Sequence, residues 1–102
     1  MAEVKVAHAG EVAPGTGTVV SVEGKAIALF NVGGTFYAVA NECTHVGGPL
    51  GKGHLEGATV TCPWHGSQFD VTSGQVTKGP ARRPVATYAV RVRGNDVFVA
   101  LD

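Results

Sequence analysis

Cys43-Thr44-His45 and, after a spacer of sixteen residues, Cys62-Pro63-Trp64-His65 are the two stretches on which the reading of this chain turns. They contain both cysteines and two of the four histidines. Each offers one thiolate and one imidazole, the ligand types of a metal site. Around them the composition shifts. Between Asn41 and Arg83 lie Gly47, Gly48, Pro49, Gly51, Gly53, Gly57, Pro63, Gly66, Gly74, Gly79 and Pro80, with only short β-like pieces near Thr59 to Cys62 and Gln68 to Val71. Such punctuation predicts a loop-rich lobe over about residues 41–83 that carries the site, inserted where the chain leaves one sheet and later rejoins it.

Outside that lobe the sequence has strand periodicity. Apolar residues recur with period two, or in short β-branched runs, at Val4 and Val6, Thr18 to Val22, Lys25 to Phe30, Phe36 to Val39 and Val97 to Leu101. Glu23-Gly24, Gly33-Gly34 and Gly94-Asn95 each sit between two such runs, where a tight hairpin connection belongs. Val85 to Val92 and Val97 to Leu101 are expected to form one closing hairpin. No segment carries a helical stripe of three turns, and fifteen glycines with five prolines disfavour long helices. The expected fold is therefore all-β, an antiparallel sandwich or barrel base bearing the loop-rich lobe.

A chain of 102 residues buries one modest core, so one domain over 1–102 must hold the entire site. Eight basic and eight acidic side chains cancel, which gives no support for wrapping nucleic acid or adhering to an anionic membrane. No apolar stretch approaches the ~18–20 residues of a membrane span, and no secretory leader is apparent. A soluble, unprocessed, cytoplasmic protein is expected, with small-molecule or protein partners and no need of an oligomer beyond a monomer. In a reducing compartment the two thiols are more plausible as metal ligands than as a disulfide.

Zinc is the main competitor, since two thiolates and two imidazoles satisfy a tetrahedral site. Zinc modules usually pair like with like, whereas this chain alternates Cys, His, Cys, His across two similar loops. A binuclear cluster accounts better for the alternation. At these residues the chain resembles the Rieske family, whose pattern of Cys-x-His, a spacer of comparable length, then Cys-x-x-His is met in full. Gly47-Gly48-Pro49-Leu50, Gly66-Ser67, Phe69-Asp70 and Gly79-Pro80-Ala81 resemble that family's successive cluster-covering loops. The resemblance is close from Asn41 to Arg83 and only general in the flanking strands. It implies one [2Fe-2S] cluster per chain, with Cys43 and Cys62 on the buried iron and His45 and His65 on the solvent-facing one.

The glycines have a reading of their own. Backbone that approaches bridging sulfides needs residues without a Cβ and with access to positive φ, and Gly47, Gly48 and Gly66 are placed for that as well as for ordinary turns. Trp64 and Phe69 lie beside ligands, either as shields of the cluster or simply as core. Pro80 belongs with the third loop, and Ser67 offers a hydroxyl to a cluster sulfur. Quinol-oxidising Rieske subunits have an additional cysteine in each loop; Gly48 and Trp64 stand at those places, so that disulfide is excluded. Phe69 stands where those subunits have a tyrosine. One donor fewer to the sulfurs implies a potential in the lower part of the roughly −150 to +300 mV Rieske range. Histidine ligation further implies a potential that falls once the imidazoles titrate in alkali.

His8 and His54 have no partner at ligand spacing and are expected to face solvent. Five basic residues and no acidic one lie between Val71 and Asn95. Arg91 and Arg93 fit the outer face of a strand, while Lys78, Arg82 and Arg83 adjoin the third loop and suit an acidic redox partner. No nucleophile, paired carboxylates or phosphate loop accompanies the cluster motif, so a catalytic residue is not expected. The resemblance implies a one-electron carrier of the Rieske ferredoxin type, passing electrons from a flavin-containing reductase to a terminal ring-hydroxylating oxygenase. The alternatives are the small Rieske-like subunit of NAD(P)H-dependent nitrite reductase and, further off, a structural zinc module.

Overall fold

In the computed structural model the described residues are 3–44, 47–64 and 66–100. Ten strands run in the order β1 (Glu3–His8), β2 (Thr16–Val22), β3 (Lys25–Val32), β4 (Thr35–Ala40), β5 (His54–Glu56), β6 (Thr59–Thr61), β7 (Gln68–Asp70), β8 (Val76–Lys78), β9 (Thr87–Arg93) and β10 (Asp96–Ala100). Two short 3-10 turns, Ala9–Glu11 and Leu50–Lys52, complete the secondary structure. Six strands form one antiparallel sheet in the order β1-β10-β9-β4-β3-β2, and its edge strands β1 and β2 approach each other so that the sheet nearly closes. The remaining four form a second antiparallel sheet, β5-β6-β7-β8. Among the described residues no helix is long and apolar enough to cross a membrane.

Strand β3 explains how the two sheets share one molecule. Side chains alternate across a strand, and here both sides are covered. Ile27 and Leu29 enter the core inside the large sheet with Val12, Val22, Ala38, Val97 and Val99. Ala28 and Phe30 face the other way, into a second core with Val39, Leu50, Val60, Phe69, Val71 and Val85. A strand buried on both faces reads as an unbroken apolar run, which is what Ala26 to Phe30 is. Phe30 and Phe69, both fully buried, join base and lobe, each stabilising by about 1.5–3 kcal/mol relative to exposure. Gly17 pairs opposite Phe30, and a Cβ there would collide with the Phe30 ring.

The hairpin turns fall where the sequence puts them. Val22 pairs Lys25, Val32 pairs Thr35 and Arg93 pairs Asp96, leaving two-residue connections at Glu23-Gly24, Gly33-Gly34 and Gly94-Asn95. Glu23 and Gly24 both adopt positive φ, 50° and 83°, as a type I′ turn requires. The expected strand from Val85 is shorter than its apolar pattern. It begins at Thr87, because Val85 is buried under the lobe and its N–H donates to the Gly74 carbonyl at 2.9 Å. The expected end of the last strand at Leu101 lies outside the described residues.

Asn41 fastens the start of the lobe to the end of β4. Its carbonyl accepts the Leu50 N–H at 2.7 Å and its side-chain Oδ1 accepts the Gly51 N–H at 2.8 Å. Gly51 in turn sits against Val19 and the Thr18 carbonyl of β2, where a Cβ would meet atoms at 2.6 and 2.9 Å. The joint between base and lobe is thus close-packed.

Candidate metal centre

The two cysteine loops share one hydrogen-bond frame. Cys43 N–H donates to the carbonyl of Gly48, five residues on, at 2.9 Å, and its carbonyl accepts from Gly47 N–H, four residues on, at 2.8 Å. Cys62 repeats this with Ser67 at 2.8 Å and Gly66 at 3.2 Å. Gly47 and Gly66 have φ of 78° and 79°, the left-handed conformation that lets each loop fold back on its cysteine. Two sequences with different Cys-to-His spacing are therefore held in the same backbone turn.

Both cysteines are free thiols, 3% and 2% exposed, and both belong to the core that contains Phe30 and Phe69. Gly48 is buried between them in chain and space. A Cβ on Gly48 would lie 2.5 Å from Cys62 Sγ and 3.2–3.3 Å from the Trp64 indole, so the first loop packs against the ligand of the second. Trp64 itself is 58% exposed. It is a surface aromatic beside the centre and not a member of the core, which settles the two readings of its role against burial. Phe69 is the converse, 0% exposed on β7.

Ser67 is fully buried, and its Oγ accepts the Ala81 N–H at 2.9 Å. The hydroxyl proton therefore remains available for an acceptor on its other side. Thr44 contributes a contact with no sequence signal, its Oγ1 donating to the Arg83 carbonyl at 2.7 Å across 39 residues. Ala81 is buried, whereas Pro80, Arg82 and Arg83 are exposed and line a groove of about 420 Å³ with Thr44 and Ala81. His45 and His65 lie outside the described residues. Away from the centre, His54 is exposed on β5, and His8 is exposed with Nδ1 3.4 Å from Asp96 Oδ1.

These residues fit a cluster held by thiolates. Two buried soft ligands rise from matching loops into one apolar pocket, unbridged, with a backbone cradle that admits no Cβ at Gly48. Thiolates select copper(I), zinc and iron–sulfur centres among metals.

Comparison with known proteins agrees. The family described as Rieske [2Fe-2S] domain matches residues 2–89. The 3-phenylpropionate/cinnamic acid dioxygenase ferredoxin subunit of Escherichia coli (strain K12) is 46% identical over 76 residues, 74% of this chain and 72% of that protein. The ferredoxin of carbazole 1,9a-dioxygenase from Nocardioides aromaticivorans IC177 superposes with a TM-score of 0.95 at 32% identity, over 100% of both chains. A chain in the complex of reduced oxygenase and oxidized ferredoxin in carbazole 1,9a-dioxygenase matches at 35% identity and TM-score 0.91, over 96% of this chain and 92% of that one.

Proposed function

Since the chain belongs to the Rieske [2Fe-2S] family, we propose that it is a one-electron carrier, passing electrons from a flavin-dependent reductase to a terminal ring-hydroxylating oxygenase. The observation that carries this reading is the superposition on a dioxygenase ferredoxin along the whole of both chains. One [2Fe-2S] cluster is the cofactor, and when bound it supplies reversible one-electron chemistry.

Cys43 and Cys62, on two like-built loops, would hold a [2Fe-2S] cluster together with His45 and His65, the thiolate and imidazole ligand set of a Rieske centre. Phe30, Leu50, Val60 and Phe69 exclude water from below the thiols. Burial of the two thiols and the hydrogen bonds that fix their loops would keep reorganisation on electron gain small, because little solvent or backbone would have to move there. Ser67 Oγ accepts the Ala81 N–H, which leaves its hydroxyl proton free to donate to a cluster sulfur. Phe69 has no polar atom to add to it, so the potential belongs in the lower part of the roughly −150 to +300 mV Rieske range. The carrier role leaves substrate chemistry to the partner.

Stopped-flow mixing tests the reading. The dithionite-reduced protein, freed of excess reductant, is mixed with the oxidised terminal oxygenase of a carbazole-type dioxygenase. Transfer of one electron per chain, with no substrate turnover when the oxygenase is omitted, is expected. A protein that takes up no electron, or turns over the substrate alone, overturns it.

A further inference from the structure

The segment Pro80–Arg83 touches neither sheet as a strand, yet it is fixed at two points. Ala81 donates its N–H to the buried Ser67 Oγ of the second cysteine loop at 2.9 Å. Two residues on, the Arg83 carbonyl accepts the Thr44 hydroxyl of the first loop at 2.7 Å. Ala81 is 4% exposed and plugs into the core shared with Cys43 and Cys62. Arg82 and Arg83 are exposed. The segment therefore bridges both ligand loops and holds two adjacent guanidinium-bearing residues beside the groove at their edge.

The charge on these arginines is not spent internally. Arg91 and Arg93 share the Glu3 carboxylate, each at 3.3 Å, and Lys5 lies 3.1 Å from Asp96. Among the described residues no acidic group pairs with Arg82, Arg83 or the nearby exposed Lys78. Glu42 stands against Gly47 in the first loop, and Asp70 is engaged by the Thr72 N–H and hydroxyl at 2.9 and 2.7 Å. The chain as a whole carries no net charge. A local cationic edge in a protein without net charge orients an approaching partner over about a Debye length, ~10 Å at 0.1 M salt.

We propose that Arg82 and Arg83 form a pinned cationic docking rim, which selects a redox protein presenting carboxylates around its own electron-transfer centre. This deepens the carrier reading and rests on it. The pinning fixes the backbone from which both side chains extend, so the two charges stay beside the ligand loops, and rim charges act on encounter rate and orientation.

The test reads local charge through outer-sphere oxidants. The dithionite-reduced protein is oxidised by hexacyanoferrate(III) or by tris(phenanthroline)cobalt(III), each taking one electron per chain to become iron(II) or cobalt(II). With the wild type, the anionic oxidant is expected to react faster as ionic strength falls. In R82Q/R83Q its low-salt rate is expected to drop about tenfold. R91Q/R93Q makes the same change in net charge four and six residues along β9 from its start at Thr87, roughly 13 and 20 Å of strand, and is expected to leave the rate unaltered. Poly-L-glutamate, standing in for a carboxylate-rich protein surface, is expected to slow the wild type and not R82Q/R83Q. Equal effects of the two double substitutions, a salt-independent rate with hexacyanoferrate(III), or indifference to poly-L-glutamate would overturn the proposal and leave the carrier reading standing. A protein that takes no electron from dithionite overturns both.

Discussion

Replacing Gly48 by alanine tests the packing of one cysteine loop against the other. Gly48 has no positive φ, so alanine meets no backbone penalty there. The cost is steric alone. The new Cβ lies 2.5 Å from Cys62 Sγ, against 3.4 Å where ordinary contact begins, so the sulfur must retreat by about 0.9 Å (3.4 − 2.5) or the first loop must lift. Metal–ligand distances tolerate about 0.2 Å, and the Trp64 ring at 3.2–3.3 Å blocks one direction of relief. Overpacking of this kind costs about 1–3 kcal/mol, which for a chain of this size lowers Tm by about 4–8 °C per kcal/mol. The expected G48A protein contains markedly less iron and has weaker visible absorbance per chain, measured by metal analysis and spectrophotometry on the purified protein. G47A is the control. Its Cβ has only Glu42 Oε2 at 4.0 Å, but its φ of 78° is strained for alanine, so it loses about 1–2 kcal/mol while loading iron better than G48A. A G48A protein with full iron, an unchanged spectrum and wild-type Tm would refute the geometry.

Three further substitutions probe other contacts. S67A removes the acceptor of the Ala81 N–H; a buried unpaired donor costs about 1–3 kcal/mol, so the melting temperature should fall, and an unchanged one contradicts the bond. F69Y puts a phenol into a fully buried site beside the thiols, and a redox titration should show the midpoint rising as the new O–H donates to sulfur; a lowered midpoint would deny that contact. Asp96 is held below its usual carboxylate range chiefly by its hydrogen bond with Lys5, aided by His8. A carboxyl depressed in the folded state stabilises above its unfolded value, about 3.9, and that contribution is lost as pH falls through the lower folded value. Denaturant unfolding of D96N should thus lose less stability between pH 6 and 3 than the wild type, and equal losses would remove Asp96 from the account.

The base of the fold was legible because its strands carry long patterns and paired turn residues. The run Ala26 to Phe30 read as strand, although which face met which core depends on the partner sheet. Strands β5 and β8, three residues each, are too short to show a period and were not foreseen. Val85 looked like strand because it is apolar, but its N–H is committed to Gly74. The cysteine loops were visible as residue types at a spacing. Their shared hydrogen-bond frame and the bond from Thr44 to Arg83 were not, since contacts between residues 39 apart leave no local pattern. Trp64 was ambiguous because hydrophobicity alone does not tell an exposed aromatic at a site from a core one.

A diiron cluster gripped by unlike ligands has a direct signature in electron paramagnetic resonance of the anaerobically reduced protein, recorded on a sample assayed for iron and acid-labile sulfide. The account predicts two irons and two sulfides per chain and one S = 1/2 signal with nitrogen hyperfine coupling, lost on substituting His45 and His65. Stoichiometric zinc without sulfide, or a signal lacking nitrogen coupling, would contradict it.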